Sequence, residues 1–265
     1  MKIGIFDSGL GGLVIANTLM QAMPEYDYVY LGDTIRLPYG DKPTSLIYEY
    51  TQKACEFLFN QDCVLIIIAC NTATAAALRK IQQNFIPAHY QGRNVLGIIR
   101  PTVEIACQSE FPKIGVIATA STVKSQSYEQ EIYKLNPAAQ VISVAATGLV
   151  PAIEANNFNA AKELLPQYLA PLIEAKISSL ILGCTHYPLL KSEIRAIMGN
   201  IPVLSQDELI ADSLKSYLER HPEYALKISK NSNKEFFVTQ KNPNSIEVAK
   251  TFYNGEIDFS CIDLL

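Results

Sequence analysis

Two stretches of this chain are variations on one pattern, and that pattern limits the fold more than any other feature. Leu65-Ile66-Ile67-Ile68-Ala69-Cys70-Asn71-Thr72 and Leu180-Ile181-Leu182-Gly183-Cys184-Thr185-His186 each run from aliphatic residues through a small residue to a cysteine, then to polar side chains. A continuous aliphatic run marks a strand buried on both faces, as in parallel sheets covered by helices. The cysteine then falls where the strand ends, which is where open parallel α/β sheets place their chemistry.

The offsets between paired segments are nearly constant. Cys184 follows Cys70 by 114 positions, and Lys113-Ile114-Gly115-Val116-Ile117-Ala118-Thr119 follows Lys2-Ile3-Gly4-Ile5-Phe6-Asp7-Ser8 by 111. A weaker echo pairs the run around Val29 with the run around Val141. Such an internal repeat predicts two similar α/β halves, each carrying one cysteine at a late strand end. If the halves face each other about a pseudo-twofold axis, Cys70 and Cys184 meet across a cleft and act on one substrate from two sides. The expected fold is therefore α/β, with two pseudo-symmetric domains of mainly parallel sheet and the active site between them. The first domain is expected from residues 1–97 plus 209–265, the second from 98–208.

Alternating patterns place strands near residues 2–6, 28–31, 64–69, 95–98, 114–117, 141–144, 179–182 and 202–204. Helices are expected near 11–22, 43–60, 73–83, 101–108, 123–135, 159–174, 188–198 and 207–220. After a polar segment from Arg220 to Lys234, residues 235–239 read as a late strand. Asn242-Pro243-Asn244-Ser245 reads as a turn and cap before a last helix over 246–253. This tail lies outside the repeat and is expected to complete the first half.

Composition excludes several classes. Lys and Arg number 22 against 26 Asp and Glu, so the net charge of −4 does not invite nucleic acid as the main ligand. The longest apolar run, Val64 to Ala69, is too short to span a bilayer. The opening Met1-Lys2-Ile3-Gly4 runs straight into a strand, leaving no room for a signal peptide. Six cysteines without a CxxC spacing read as reduced thiols, and a cytoplasmic location is expected.

The chemistry follows site by site. Asp7-Ser8-Gly9-Leu10-Gly11-Gly12 ends the first strand and opens a helix; its glycines permit a close backbone approach to a ligand. Val14 stands where a dinucleotide fingerprint needs its third glycine, so that reading fails. Asp7 could cap the helix, or it could bind an ammonium group or assist a thiol. Cys55, Cys63, Cys107 and Cys261 lack polar neighbours and suit the role of small hydrophobes. Cys70 and Cys184 suit it poorly. A helix N-terminus and the neighbouring His186 should lower a thiol pKa toward neutrality. A disulfide or a zinc site is the alternative, although zinc needs a third good ligand and only His186 presents itself. His89 and His221 sit in polar, turn-like surroundings and read as surface residues. The loop with Asp33, Thr34, Arg36, Tyr39 and Gly40 could contact substrate or form a surface turn.

Four motifs in order then carry a resemblance. Asp7-Ser8-Gly9-x-Gly11-Gly12, Gly32-Asp33-Thr34-x-Arg36-x-Pro38-Tyr39-Gly40, Ala69-Cys70-Asn71-Thr72-Ala73 and Gly183-Cys184-Thr185-His186-Tyr187-Pro188-Leu189-Leu190 resemble the glutamate racemases, and the likeness extends to Phe236-Phe237-Val238-Thr239. The resemblance implies conversion of L-glutamate to D-glutamate for peptidoglycan, with no cofactor and no metal. It implies that Cys70 and Cys184 are catalytic bases, the first acting on D-glutamate and the second on L-glutamate. Asp7, His186 and Glu154 match positions that assist the thiols. Ser8, Pro38, Tyr39, Gly40, Asn71, Thr72, Thr119, Thr122 and Thr185 match substrate contacts. One departure is Ala145-Ala146-Thr147-Gly148, where the family has an Ala-Cys-Pro-like stretch. The expected partner is a small molecule, glutamate, without nucleic acid or membrane; a homodimer is left open. Aspartate racemases share the two-cysteine plan, and a binding protein on this scaffold would have no reason to keep both thiols with Asp7 and His186.

Overall fold

The computed structural model describes residues 1–108, 112–241 and 243–264. Ten strands form two sheets in which every pairing among the described residues is parallel. The strands are β1 (Lys2–Asp7), β2 (Tyr28–Gly32), β3 (Cys63–Ile68), β4 (Asn94–Gly97), β5 (Lys113–Ala118), β6 (Gln140–Ala145), β7 (Ser179–Gly183), β8 (Val203–Leu204), β9 (Lys234–Val238) and β10 (Phe259–Cys261). The helices are α1 (Leu13–Ala22), α2 (Thr44–Asn60), α3 (Asn71–Lys80), α4 (Ile86–His89), α5 (Ile99–Gln108), α6 (Ala120–Ser125), α7 (Ser127–Leu135), α8 (Leu149–Glu154), α9 (Phe158–Glu174), α10 (Lys191–Met198), α11 (Gln206–Arg220), α12 (Pro222–Ala225) and α13 (Pro243–Phe252).

The two sheets repeat one topology. The first runs β10-β9-β2-β1-β3-β4 and the second β6-β5-β7-β8. Strands β2-β1-β3-β4 therefore correspond to β6-β5-β7-β8, and the cysteines follow the equivalent strands β3 and β7. Strands β9 and β10 return from the tail to extend the first sheet beside β2.

The aliphatic runs are buried on both faces, as their continuity predicts. Every residue of β3 and β7 is buried. Alternation divides the first sheet between two cores. Ile3, Ile5, Leu65 and Ile67 pack in the cluster that holds Leu13, Ile15 and Leu19 of α1. Phe6, Ile66 and Ile68 pack in the cluster that holds Ile47 and Leu58 of α2. Each such buried aliphatic side chain contributes about 1.5–3 kcal/mol of transfer free energy. No helix among the described residues is long and apolar enough to cross a membrane.

The structure departs from the sequence reading at several places. The helix expected over 123–135 is two helices, α6 and α7, broken at Gln126, whose φ of 53° is left-handed. A five-residue π turn, Ile81–Phe85, joins α3 to α4, so the helical path continues past residue 83. Three short elements, α8, α12 and β10, lacked enough periodic residues to be expected. The last helix starts at Pro243, where a turn and cap were read; proline suits a first helical position because its missing N–H needs no partner there. The Asn242 part of that reading lies outside the described residues. Cys261 is exposed on the edge strand β10 and is not a core residue, whereas Cys55 and Cys63 are fully buried. All six cysteines are free.

Candidate active site

Cys70 ends the β3 run and caps α3. Its backbone is extended (φ −64°, ψ 122°), and its Sγ accepts from the Ala73 N–H at 3.4 Å and lies 3.3 Å from the Ser8 hydroxyl. The helix N-terminus was expected to lower this thiol's pKa. Burial does the opposite: with the Asp7 carboxylate adding to it, desolvation pushes Cys70 up to about 12, against smaller help from the Ser8 and Ala73 hydrogen bonds. A helix terminus is worth about 0.3–1 kcal/mol, which a fully buried charge outweighs.

Cys184 ends β7 in the equivalent position. Its Sγ is 3.7 Å from His186 Nδ1, and His186 Nε2 is 2.5 Å from Glu154 Oε1. Burial alone would lower the His186 imidazole; the hydrogen bonds from Cys184 and Glu154, with their charges, overcome it and hold His186 well above its ordinary range. Helix α8, which contains Val150 and Pro151, delivers Glu154 from its C-terminal end.

Asp7 is fully buried between the two cysteine segments. One carboxylate oxygen accepts from the Gly9 N–H at 3.0 Å and the other from the Thr185 hydroxyl at 3.3 Å. Helix α1 starts after Gly12 and has no side-chain capping bond, so Asp7 is not its cap. Burial raises the Asp7 pKa, while His186 and the Gly12 and Gly9 amides act in the other direction. The glycine loop approaches a side chain, where a ligand was expected: a Cβ on Gly11 would stand 2.6 Å from the His186 ring and 2.8 Å from Thr185 Oγ1.

The loop after β2 is anchored by two buried side chains, Asp33 and Tyr39, while Ile35 and Pro38 remain exposed, so it is a surface turn with one inward-facing side. Tyr39 is 1% exposed and donates its hydroxyl to Asp33 at 2.7 Å. Asp33, with no exposure, also accepts from Thr239 Oγ1 at 2.9 Å and pairs with Arg36 at 3.2 Å. Opposite, Thr72, Thr119 and Thr122 form a hydroxyl triangle with sides of 2.9, 3.0 and 3.2 Å that joins α3 to α6.

These groups enclose one cavity of about 30 Å³. Ser8, Pro38, Tyr39, Gly40, Cys70, Asn71, Thr72, Thr119, Cys184, Thr185 and His186 line it, so most of the expected site residues converge on it. Asp7, Thr122 and Glu154 stand one layer behind. Thr147, within the stretch that departs from the family pattern, also lines it, as do Val150 and Pro151. Among the described residues its lining contains no lysine or arginine and one carboxylate, Asp41, so a bound anion depends on the hydroxyls and the α3 amide terminus. A wider groove of about 1000 Å³ contains neither cysteine, and its Arg79 and Arg100 are paired with Glu131 and Glu104. Among the described residues no cluster of three or more His, Cys, Asp or Glu side chains could hold a metal ion.

The family described as Asp/Glu/Hydantoin racemase matches residues 26–213. A glutamate racemase of Jannaschia sp. (strain CCS1) is 34% identical, with 99% of this chain and 100% of that protein covered. One from Streptococcus agalactiae serotype Ia is 36% identical, with 99% and 98% covered. Among solved structures, a glutamate racemase from Francisella tularensis in complex with D-glutamate superposes with a TM-score of 0.88 at 31% identity, covering 99% of this chain and 97% of that one.

Proposed function

The chain belongs to the Asp/Glu/Hydantoin racemase family, and from that premise we propose that it interconverts L- and D-glutamate, one of Cys70 and Cys184 taking the α-proton while the other delivers its own proton to the opposite face. The observation that carries this reading is the placement of both thiols, at the ends of equivalent strands, on the wall of one cavity. Inverting a stereocentre requires a proton to leave one face and another to arrive at the opposite face. Cys184 takes the α-proton of L-glutamate, leaving a planar carbanion, and the Cys70 thiol delivers its proton to the other side. The D-to-L direction reverses the roles. The buried Cys70, held protonated at neutral pH, suits the acid role in the first direction. His186, backed by Glu154, offers Cys184 a proton-exchanging partner.

An α-proton is a poor acid, so the carbanion needs stabilisation. Ser8, Asn71, Thr72, Thr119 and Thr185, with Pro38, Tyr39 and Gly40, supply the substrate contacts in this reading, and Thr122 holds the Thr72 and Thr119 hydroxyls from behind. The reaction needs no electron sink beyond these groups, hence no cofactor. We assign residues 1–97 and 209–265 to one half of the molecule and 98–208 to the other. The product D-glutamate would serve peptidoglycan synthesis in the cytoplasm. A cavity of about 30 Å³ holds about one water, so the two walls must part to admit a five-carbon amino acid.

The test is racemisation followed by circular dichroism with purified protein, L-glutamate and no added cofactor, run in D₂O. Early D-glutamate, separated and read by proton NMR, should carry deuterium at Cα, because Cys70 delivers a solvent-derived deuteron. Product that retains the substrate's own proton would point to a single shuttling base. Faster turnover of L-aspartate than of L-glutamate would overturn the substrate assignment.

A further inference from the structure

Behind the cavity lies a closed ring of three buried side chains from three distant segments. Asn71, the first residue of α3 and the neighbour of Cys70, is 2% exposed; Gln206, which opens α11, and Tyr128 in α7 are each 1% exposed. Asn71 Nδ2 donates to Gln206 Oε1 at 2.8 Å, and Gln206 Nε2 donates back to Asn71 Oδ1 at 2.7 Å. The Tyr128 hydroxyl donates to Asn71 Oδ1 at 2.7 Å and accepts from Gln206 Nε2 at 2.9 Å. Both amide groups and the phenol are engaged with one another. The ring uses Asn71 Oδ1 and one of the two Nδ2 N–H groups, which leaves the second N–H and the backbone for a ligand in the cavity that Asn71 lines.

The ring reaches both thiols and meets the cavity only through Asn71. Asn71 fixes the end of α3 that carries Cys70. The Tyr128 ring packs on Gly183, where a Cβ would come within 3.0 Å of its Cε2, and Gly183 precedes Cys184. Neither Gln206 nor Tyr128 lines the cavity. The threonine triangle also bridges α3 and α6, but Thr72 and Thr119 face the cavity and are available to a ligand. In the amide–phenol ring, Gln206 and Tyr128 are outside the lining, and only Asn71 belongs to it.

We propose that Gln206 and Tyr128 are positioning residues whose ring with Asn71 pins the Cys70 end of α3 against the Cys184 strand, and so sets the separation of the two thiols. This rests on reading those thiols as the proton-transferring pair. Misplacing a reacting group by about 1 Å can lower rate by about 10²-fold, so geometry held from behind should appear in kcat more than in KM.

Two readouts on Gln206→Met and Tyr128→Phe test this. In the first, kcat should fall on the order of tenfold or more for both enantiomers, with KM moving less than about threefold. The double variant should lose less than the product of the single losses, because the ring fails as a unit. In the second, iodoacetamide labelling read by mass spectrometry should speed at Cys70 and Cys184 together, while the buried Cys55 and Cys63 stay protected. Unchanged kcat and unchanged labelling, even with a lowered Tm, would reduce the ring to a structural contact. Equal gains in labelling at all four cysteines would do the same, because they would report general loosening. If Gln206→Met does not fold, Tyr128→Phe, which removes one oxygen, decides alone. A wild-type protein that does not racemise glutamate would defeat the functional reading, and the labelling would still judge the ring.

Discussion

At the scale of single residues, the site is set by what burial does to charge. In the proposed mechanism, replacing Cys70 or Cys184 by serine removes an acid–base group whose contribution is typically about 10²–10⁴-fold, since a hydroxyl is a far weaker acid than a thiol. Either change should drop turnover in both directions by at least that factor while Tm holds; near-normal rates in either variant would sink the two-base mechanism. Asp7 offers the sharper test. Its pKa is raised by burial, so its charge opposes folding at neutral pH, and that opposition vanishes as pH falls and the carboxyl protonates. Asp7→Asn should therefore leave thermal stability at pH 7 equal or higher while turnover falls. Scanning calorimetry beside a racemisation assay checks both, and a destabilised variant would show that the charge itself stabilises the fold. His186→Asn should depress kcat from L-glutamate more than from D-glutamate, with KM shifting in step because the equilibrium constant of an enantiomer pair is one. Equal changes in both directions would make His186 a general binding residue.

Elements matter through how closely they approach. The loop between β1 and α1 meets the segment after β7 so tightly that only glycine fits at position 11, with the imidazole ring 2.6 Å from the place of a Cβ. Gly11→Ala should push His186 away from Cys184 and lower kcat/KM on the order of 10–100-fold. Gly199 is the control: its φ of 62° is left-handed and nothing lies within 4 Å of an added Cβ. Gly199→Ala should cost about 1–2 kcal/mol of stability through backbone strain and leave kcat/KM alone. Urea denaturation with steady-state kinetics separates the two; a kinetic loss at Gly199 equal to that at Gly11 would remove the packing explanation. The short helix α8 makes the complementary point. Six residues containing a proline carry little periodic signal, yet α8 holds Glu154 against His186.

At the scale of the whole molecule, the tail must be tied to the first sheet before β9 and β10 can extend it. Asp27 makes that tie, accepting from Ser229 Oγ at 2.6 Å, from the Asn231 amide side chain at 2.8 Å, and from the Asn231 and Asn233 N–H groups at 3.1 and 2.9 Å. Burial would raise its pKa, but these four bonds together lower it to about 2. A depressed carboxylate stabilises the fold above its unfolded pKa, near 3.8, and that contribution is lost as pH falls through about 2. Asp27→Asn should thus lose on the order of 1–2 kcal/mol at pH 7, with the deficit shrinking between pH 4 and 2. Acid titration followed by circular dichroism would show it, and a deficit constant down to pH 2 would contradict the assignment. The same division of scales explains what could be read from the chain alone. Parallel strands buried on both faces, the repeat, and the cysteines at equivalent strand ends were legible because aliphatic continuity and spacing are local properties. The helix break at Gln126, the burial of Tyr39 and the position of Glu154 behind His186 were not, because each depends on what packs against it from far along the chain. The reversal of the Cys70 pKa has the same origin. Sequence places a thiol at a helix N-terminus, but only the folded molecule removes the water around it, and desolvation outweighs the helix.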